Sequence, residues 1–446
     1  MAKKKAAKVS ADPRKRVDGL FAEIYTHAKK TIGDQFIFGA KSAEVMVGLP
    51  MPALCLEYIM QCTCWPLSRL ATLVGEPASG KTIFGFEVSR WHHLYGGGSF
   101  YGDCEHKNAS HVRSGLYRHD PHLLARASTK ECYTIEQVQQ VVFQTMESVI
   151  QVAAAHGLPR SIPVAFMIDS LMGNAPEAEY ESMAKNDGAA ERGYALSAQL
   201  IARWFRSIQN KVEDNPFSIL VTNHLRKSTD RMGNTVRTTP GGTSVPYFET
   251  LELELKKVRA YELETHGGLT TWIKVFKNCV GPAGRSIKAD VIWWYQDVVD
   301  PATGELVRDE HGTPKRQQHF SWDWDTATID MLKQLQTDRA KLFKTICKEA
   351  VDLNFVGKAQ RGSNAQVWSD ALGIPEDEPV EYRVAGAKIH ADPAIMSKLR
   401  YYLDIMEMAP FTGGDDYRKA VLKAQESARE RVEAEAPEAT ELPAEV

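Results

Sequence analysis

Nowhere in the 446 residues is there an uninterrupted apolar run of the roughly 18–20 residues that a membrane-spanning helix needs. The N-terminal stretch MAKKKAAKVSADPRKR is positively charged but has no apolar segment behind it, so it does not read as a secretory leader. Cysteine is sparse: seven residues, an odd number without regular spacing. That excludes a disulfide scaffold and fits the reduced thiols of a cytosol. Cys62 and Cys64 lack a second Cys or His pair at zinc-finger spacing, so they read as buried thiols and not as metal ligands. Charge of one sign is missing too, because 54 basic against 57 acidic residues leave a net of −3. A chain-wide basic coat for nucleic acid is thereby excluded, and only local patches remain open. No internal repeat is evident. Together these absences lead to the expectation of a soluble, cytoplasmic protein without a membrane partner.

What is present is ordinary globular material, 43% hydrophobic and 25% charged, in a length that suits two or three domains. The ends differ in sign. Residues 1–16 carry seven Lys or Arg against one Asp, and residues 430–446 carry six Glu against one Arg. Both read as flexible tails. Leu20, Ile24, Tyr25 and Ala28 fall on one face of a short amphipathic helix over 17–32. From about residue 46 to 300 short apolar runs alternate with helical stretches. Leu70–Val74, Gly98–Tyr101, Val164–Ile168, Ser218–Thr222 and Leu251–Leu255 read as strands; Ile83–His93, Ile135–Ala155 and Tyr194–Val212 read as helices. This alternation implies an α/β core with a mostly parallel sheet flanked by helices. Residues 301–335 read as a hairpin and edge extension, with Trp322 and Trp324 alternating with Asp323 and Asp325 on an edge strand. Residues 336–428 read as a small helical C-terminal domain, and 429–446 as an acidic tail.

Three segments carry chemistry. Gly75-Glu76-Pro77-Ala78-Ser79-Gly80-Lys81-Thr82 is a complete G-x-x-x-x-G-K-T, placed between an apolar strand and a helical pattern. Glycines let the backbone wrap phosphates, successive N–H groups and the helix N-terminus hold negative charge, Lys81 reaches the β/γ-phosphates, and the Thr82 hydroxyl ligates Mg²⁺. The motif therefore calls for the phosphates of a nucleotide and for Mg²⁺. Pro163-Val-Ala-Phe-Met-Ile-Asp169-Ser170 is an apolar strand ending in a carboxylate, where Asp169 would meet the Mg²⁺ through water. Phe100-Tyr-Gly-Asp103-Cys-Glu105-His106 ends another strand near the same place, and Glu105 suits a base or water-orienting group.

In this order Gly75–Thr82, Asp103–His106, Asp169-Ser170, Asn223-His224, Thr238–Gly242 and Lys274–Asn278 resemble the core of the RecA-type recombinases across about 50–295. The resemblance implies a RecA-like P-loop ATPase core over 46–300 with ATP as its nucleotide, preceded by a basic arm and oligomerisation helix in 1–45. It implies an ATP-dependent recombinase that forms a helical homo-oligomeric filament on single-stranded DNA and exchanges strands with double-stranded DNA, with a single-strand-binding or mediator protein as a further partner. Glu105 then matches the catalytic glutamate and His224 the residue that senses the γ-phosphate. His in place of Gln at 224 resembles phage-type strand-exchange proteins. Lys277 matches a cation that completes a neighbouring subunit's site, while Cys279 stands where a second lysine is usual.

Two loops would meet DNA. The first contains Met183, Lys185 and Arg192, with Arg203 on the following helix. The second contains Arg226, Lys227, Arg231, Met232, Arg237, Gly241 and Gly242. Independently of the resemblance, 225–237 is basic, rich in Gly, Ser and Thr, and has one acidic residue, a composition suited to phosphate contact. Two other readings share the motifs: a ring-forming helicase or motor of the same core, and an ATP-binding filament or mediator protein on single-stranded DNA with little turnover.

Overall fold

A computed structural model of the chain describes residues 47–105, 124–126, 134–157, 162–170, 173–185, 193–229, 235–238, 245–262, 266–300, 303–342, 356–358, 366–369, 372–375, 377–403 and 405–410. The helix expected over 17–32, His106 and both tails lie outside these residues.

The centre is a nine-stranded sheet. In chain order its strands are β1 (Arg69–Gly75), β2 (Gly98–Asp103), β3 (Leu124–Arg126), β4 (Val164–Asp169), β5 (Phe217–His224), β6 (Leu251–Glu262), β7 (His266–Asn278), β8 (Ser286–Asp297) and β9 (Arg316–Asp323). Their spatial order is β9-β8-β7-β6-β1-β5-β4-β2-β3. From β6 to β3 the neighbours run parallel; β6 to β9 form an antiparallel meander at the other end. The fold is thus α/β with a mostly parallel sheet. The middle strands are covered on both faces, which explains continuous apolar runs such as Val164–Asp169, buried at every position.

Period-two alternation assigns the faces. Phe100, Phe166, Ile168, Ile219 and Val221 point into one core, where helices α2 (Ile135–Ala155) and α3 (Gly193–Asp214) supply Val142, Met146, Ile201 and Phe205. Met167 points to the opposite face and meets Gly85 of helix α1 (Lys81–Leu94) so closely that a Cβ there would lie 2.6 Å from its methyl. Helix α2 opens with a capping box between Thr134 and Gln137.

Strand β6 continues seven residues beyond the expected Leu255. Past that point it pairs with β7 alone and stands mostly exposed, so the apolar pattern that marks its first half stops. Trp324 does not share the edge strand with Trp322. Asp323 ends β9 and accepts the Thr326 N–H at 3.1 Å and its hydroxyl at 2.8 Å, which starts helix α4 (Trp324–Leu342) as an N-cap does. The two indoles still stack, 4.7 Å apart and 5° from parallel, with Phe84 edge-on to both.

Late residues return to the start of the described chain. Ala409–Pro410 pairs in parallel with Val47–Pro50. Arg400, on the helix Pro393–Tyr402, makes two bonds of 2.7 and 2.6 Å to Glu57, whose side chain has no exposure. His390 pairs with Asp325 at 2.7 Å. Cys55, Cys62, Cys64 and Cys104 are buried free thiols.

Candidate active site

The carboxyl ends of β1, β2, β4 and β5 converge on one cavity of about 350 Å³. Its wall is the loop Pro77–Thr82 with Ile83; Tyr101, Asp103, Glu105, Asp169, His224 and Leu269 complete it. Parallel strands put such sites at their carboxyl ends, where the loops diverge.

The loop is shaped by steric limits. A Cβ on Gly75 would lie 2.1 Å from the Leu255 carbonyl oxygen, so only glycine passes beneath β6 there. Ala78 and Gly80 take left-handed φ of 56° and 91°, which turns the backbone into α1. The first N–H groups of that helix have no acceptor within it. Lys81 is buried, and its ammonium donates to the Gly75 carbonyl at 3.0 Å and the Glu76 carbonyl at 2.8 Å. The Ser79 hydroxyl is fully buried without a hydrogen-bond partner. A glycine-restricted cradle, a lysine resting on carbonyls and an orphaned hydroxyl fit a phosphate chain.

Asp169 is the polar hub of the cavity floor. Its Oδ2 accepts from Thr82 Oγ1 at 2.7 Å, its Oδ1 accepts from the Thr222 hydroxyl, and Tyr101 Oη stands 3.5 Å away. Burial pushes its carboxyl up; the hydroxyls of Thr222 and Thr82 oppose that shift, Glu105 adds to it, and Lys81 opposes it. A divalent cation beside Thr82 would supply the positive charge this carboxylate lacks, and the donor set of hydroxyl and carboxylate suits Mg²⁺. His224 Nε2 lies 2.8 Å from Glu105 Oε1, so the ring carries its proton on that nitrogen. The backbone N–H of His224 donates to Asn223 Oδ1 at 2.9 Å.

The structure therefore brings together Pro77 to Thr82, Glu105, Asp169 and His224, with Gly75 and Glu76 behind them as acceptors for Lys81. Lys277 does not line this cavity; its ammonium donates to the carbonyls of Glu249, at 2.6 Å, and Pro246. Met183 and Lys185 fall on the helix Glu177–Lys185, and Arg203 is exposed on α3. Arg226, Lys227 and Arg237 belong to a two-stranded ribbon, Arg226–Thr229 with Thr235–Thr238, in which Lys227 sits opposite Arg237. The ribbon starts two residues after His224. Arg192, Arg231, Met232, Gly241 and Gly242 lie outside the described residues.

Several site residues were missed by sequence reasoning. Thr222 had a usable signal, since it stands two residues before His224 on the same strand and so on the same side. Thr271, whose hydroxyl donates to the Ser79 carbonyl at 3.2 Å, and Leu269 come from an antiparallel strand far along the chain and carry no local signal.

Comparison with known proteins agrees with this geometry. The profile of the RecA N-terminal domain matches residues 25–297. Protein RecA of Geobacter metallireducens is 24% identical over 272 residues, 59% of this chain and 74% of that protein. Protein RecA of Enterococcus faecalis is 24% identical over 285 residues, 64% and 75% of the two chains. Protein RecA of Bacillus subtilis is 24% identical over 259 residues, 57% and 68%.

Proposed function

This chain belongs to the RecA family, and from that we propose that it is a DNA-dependent ATPase that forms a filament on single-stranded DNA and pairs and exchanges homologous strands. The observation that carries the proposal is the 2.8 Å contact between His224 and Glu105 at the head of a ribbon bearing Arg226, Lys227 and Arg237.

In this reading Lys81 leaves the Gly75 and Glu76 carbonyls for the β/γ-phosphate oxygens, and the amides that open α1 hold the same charge. Thr82, and Asp169 through water, would hold Mg²⁺, which neutralises charge developing on the phosphates. Glu105 orients the attacking water and takes its proton. The His224 Nε2–H serves either Glu105 or a γ-phosphate oxygen, not both at once. With phosphate bound, His224 turns toward it and frees Glu105 to act. After phosphate leaves, His224 returns to Glu105. Because the ribbon begins two residues on, each state of His224 sets the start of the DNA-contacting strand, a two-state switch. Backbone contacts from Met183, Lys185, Arg192, Arg203, Arg231, Met232 and the Gly241-Gly242 pair would complete the hold on single-stranded DNA, with base pairing testing homology. A second reading, a filament protein with little turnover, is favoured by one observation: Lys277 is engaged within its own chain.

Mg²⁺-ATP hydrolysis with and without single-stranded DNA, in the wild type and in Glu105→Gln, tests the proposal. The expected outcome is strong stimulation by DNA and a loss of about 10²-fold or more in the variant. Equal rates with and without DNA would refute the coupling between cavity and ribbon and shift weight to the ring motor or the low-turnover filament protein.

A further inference from the structure

Glu249 and Glu252 form an acidic pair inside the fold, apart from the cavity. They are only 2% and 5% exposed. Glu249 follows the short helix Val245–Phe248. Glu252 lies on β6, opposite Lys277 of β7 and beside Thr72 of β1. Lys277, by contrast, is part-exposed, yet its ammonium is turned onto the Glu249 and Pro246 carbonyls. One Glu249 oxygen, Oε1, is buried without a hydrogen-bond partner. Burial first, and the charge of Glu252 second, push the Glu249 carboxyl up to about 8, against the Thr72 hydroxyl and, more weakly, Lys277. Near neutrality the Glu249 carboxyl therefore holds its proton.

We propose that Glu249 and Glu252 are positioning residues for Lys277: a proton on Glu249, beside the Glu252 that stands opposite Lys277, decides whether the ammonium stays on its own chain's carbonyls or swings out to solvent. The sign follows from charge. With Glu249 ionised, its negative charge adds to the carbonyl bonds that hold the Lys277 ammonium; with a proton on Glu249 that attraction is lost and the arm is freer. The groups involved are Glu249 beside the helix, Glu252 on β6 and Lys277 on β7; Thr72 on β1 is polar but does not titrate in this range. Only the consequence rests on the proposed function. There, a freed Lys277 is the cation available to a neighbouring subunit's nucleotide, so acidification would make more of it available.

The test is brief acetylation of the full chain with acetic anhydride, reading Lys277 by mass spectrometry relative to the exposed Lys315. Glu249→Gln mimics the protonated acid at every pH. At about pH 9 the variant is expected to label Lys277 several-fold more than the wild type, and at about pH 6.5 the two are expected to label alike. A ratio of one at both pH values, or the same excess at both, would overturn the proposal. Glu252→Gln carries the same expectation and replaces Glu249→Gln if the latter fails to melt cooperatively. Labelling needs no ATP. A chain with no hydrolysis at all but the expected labelling would therefore refute the recombinase reading and leave the positioning role standing.

Discussion

His92 is fully buried on α1, where Nδ1 donates to the Val88 carbonyl at 2.8 Å and Nε2 accepts from the Ser218 hydroxyl at 2.9 Å. Burial lowers its pKa from 6.5 to about 4, so the folded chain keeps the ring neutral where an unfolded chain protonates it. Between those values the unfolded state binds more protons. Stability from this residue is therefore present above about pH 6.5 and is lost as pH falls toward 4, at up to about 1.4 kcal/mol per pH unit. Urea unfolding at a series of pH values should show a steeper acid decline in the wild type than in His92→Gln; parallel declines would remove His92 from the account. The same residue shows where sequence reasoning stops. Lys81, Thr82, Asp169, Glu105 and His224 were legible because each ends an apolar run or fills a spaced motif. His92 looked like part of a helix, and only the register of β5 against α1 sets Ser218 beside it. Thr271 was hidden for the same reason.

At the scale of elements, one ion pair ties the late helix Pro393–Tyr402 to the early helix Leu54–Met60. Glu57 is sealed from water, and burial pushes its carboxyl up despite the Arg400 guanidinium, which opposes that shift by hydrogen bond and by charge. Removing one partner of a buried pair leaves the other without compensation, at about 3–5 kcal/mol. Arg400→Met is therefore expected to lower the unfolding free energy by roughly that amount, and Glu57→Leu combined with Arg400→Met to recover most of it. A double variant no more stable than Arg400→Met would show that the pair is not what joins the two helices. Such pairings span more than 300 residues and leave no periodic trace. Five of the six mutually parallel strands were readable as short apolar runs, Val164–Asp169 most plainly because it is buried at every position; the three-residue edge strand Leu124–Arg126 was not. Of the meander strands β7–β9 only the edge strand β9 was anticipated, through Trp322; β7 and β8 were not, because they mix buried and part-exposed positions.

Across the whole molecule one sheet connects everything the proposed function needs. β1 supplies the loop, β2 and β4 the carboxylates, β5 the histidine and then the ribbon, and β7 the strand that braces Ser79 and carries Lys277. Among the described residues no helix is long and apolar enough to cross a membrane. The order of motifs along the sequence made this arrangement readable in outline, because parallel strands joined by helices bring successive carboxyl ends to one side. The part that could not be read is how the antiparallel end of the sheet closes over the loop.

That closure has an optical consequence. A Cβ on Gly80 would meet the Trp322 ring at 3.8 Å, and Trp322 lies face to face with Trp324 against the helix that the loop begins. Ultraviolet emission from this indole pair should change as the loop closes on a nucleotide, in real time and without a dye. Stopped-flow mixing with ATP is expected to give a fluorescence transient that Trp322→Phe diminishes and Lys81→Ala abolishes. A transient of full size in Trp322→Phe would assign the signal to one of the other tryptophans.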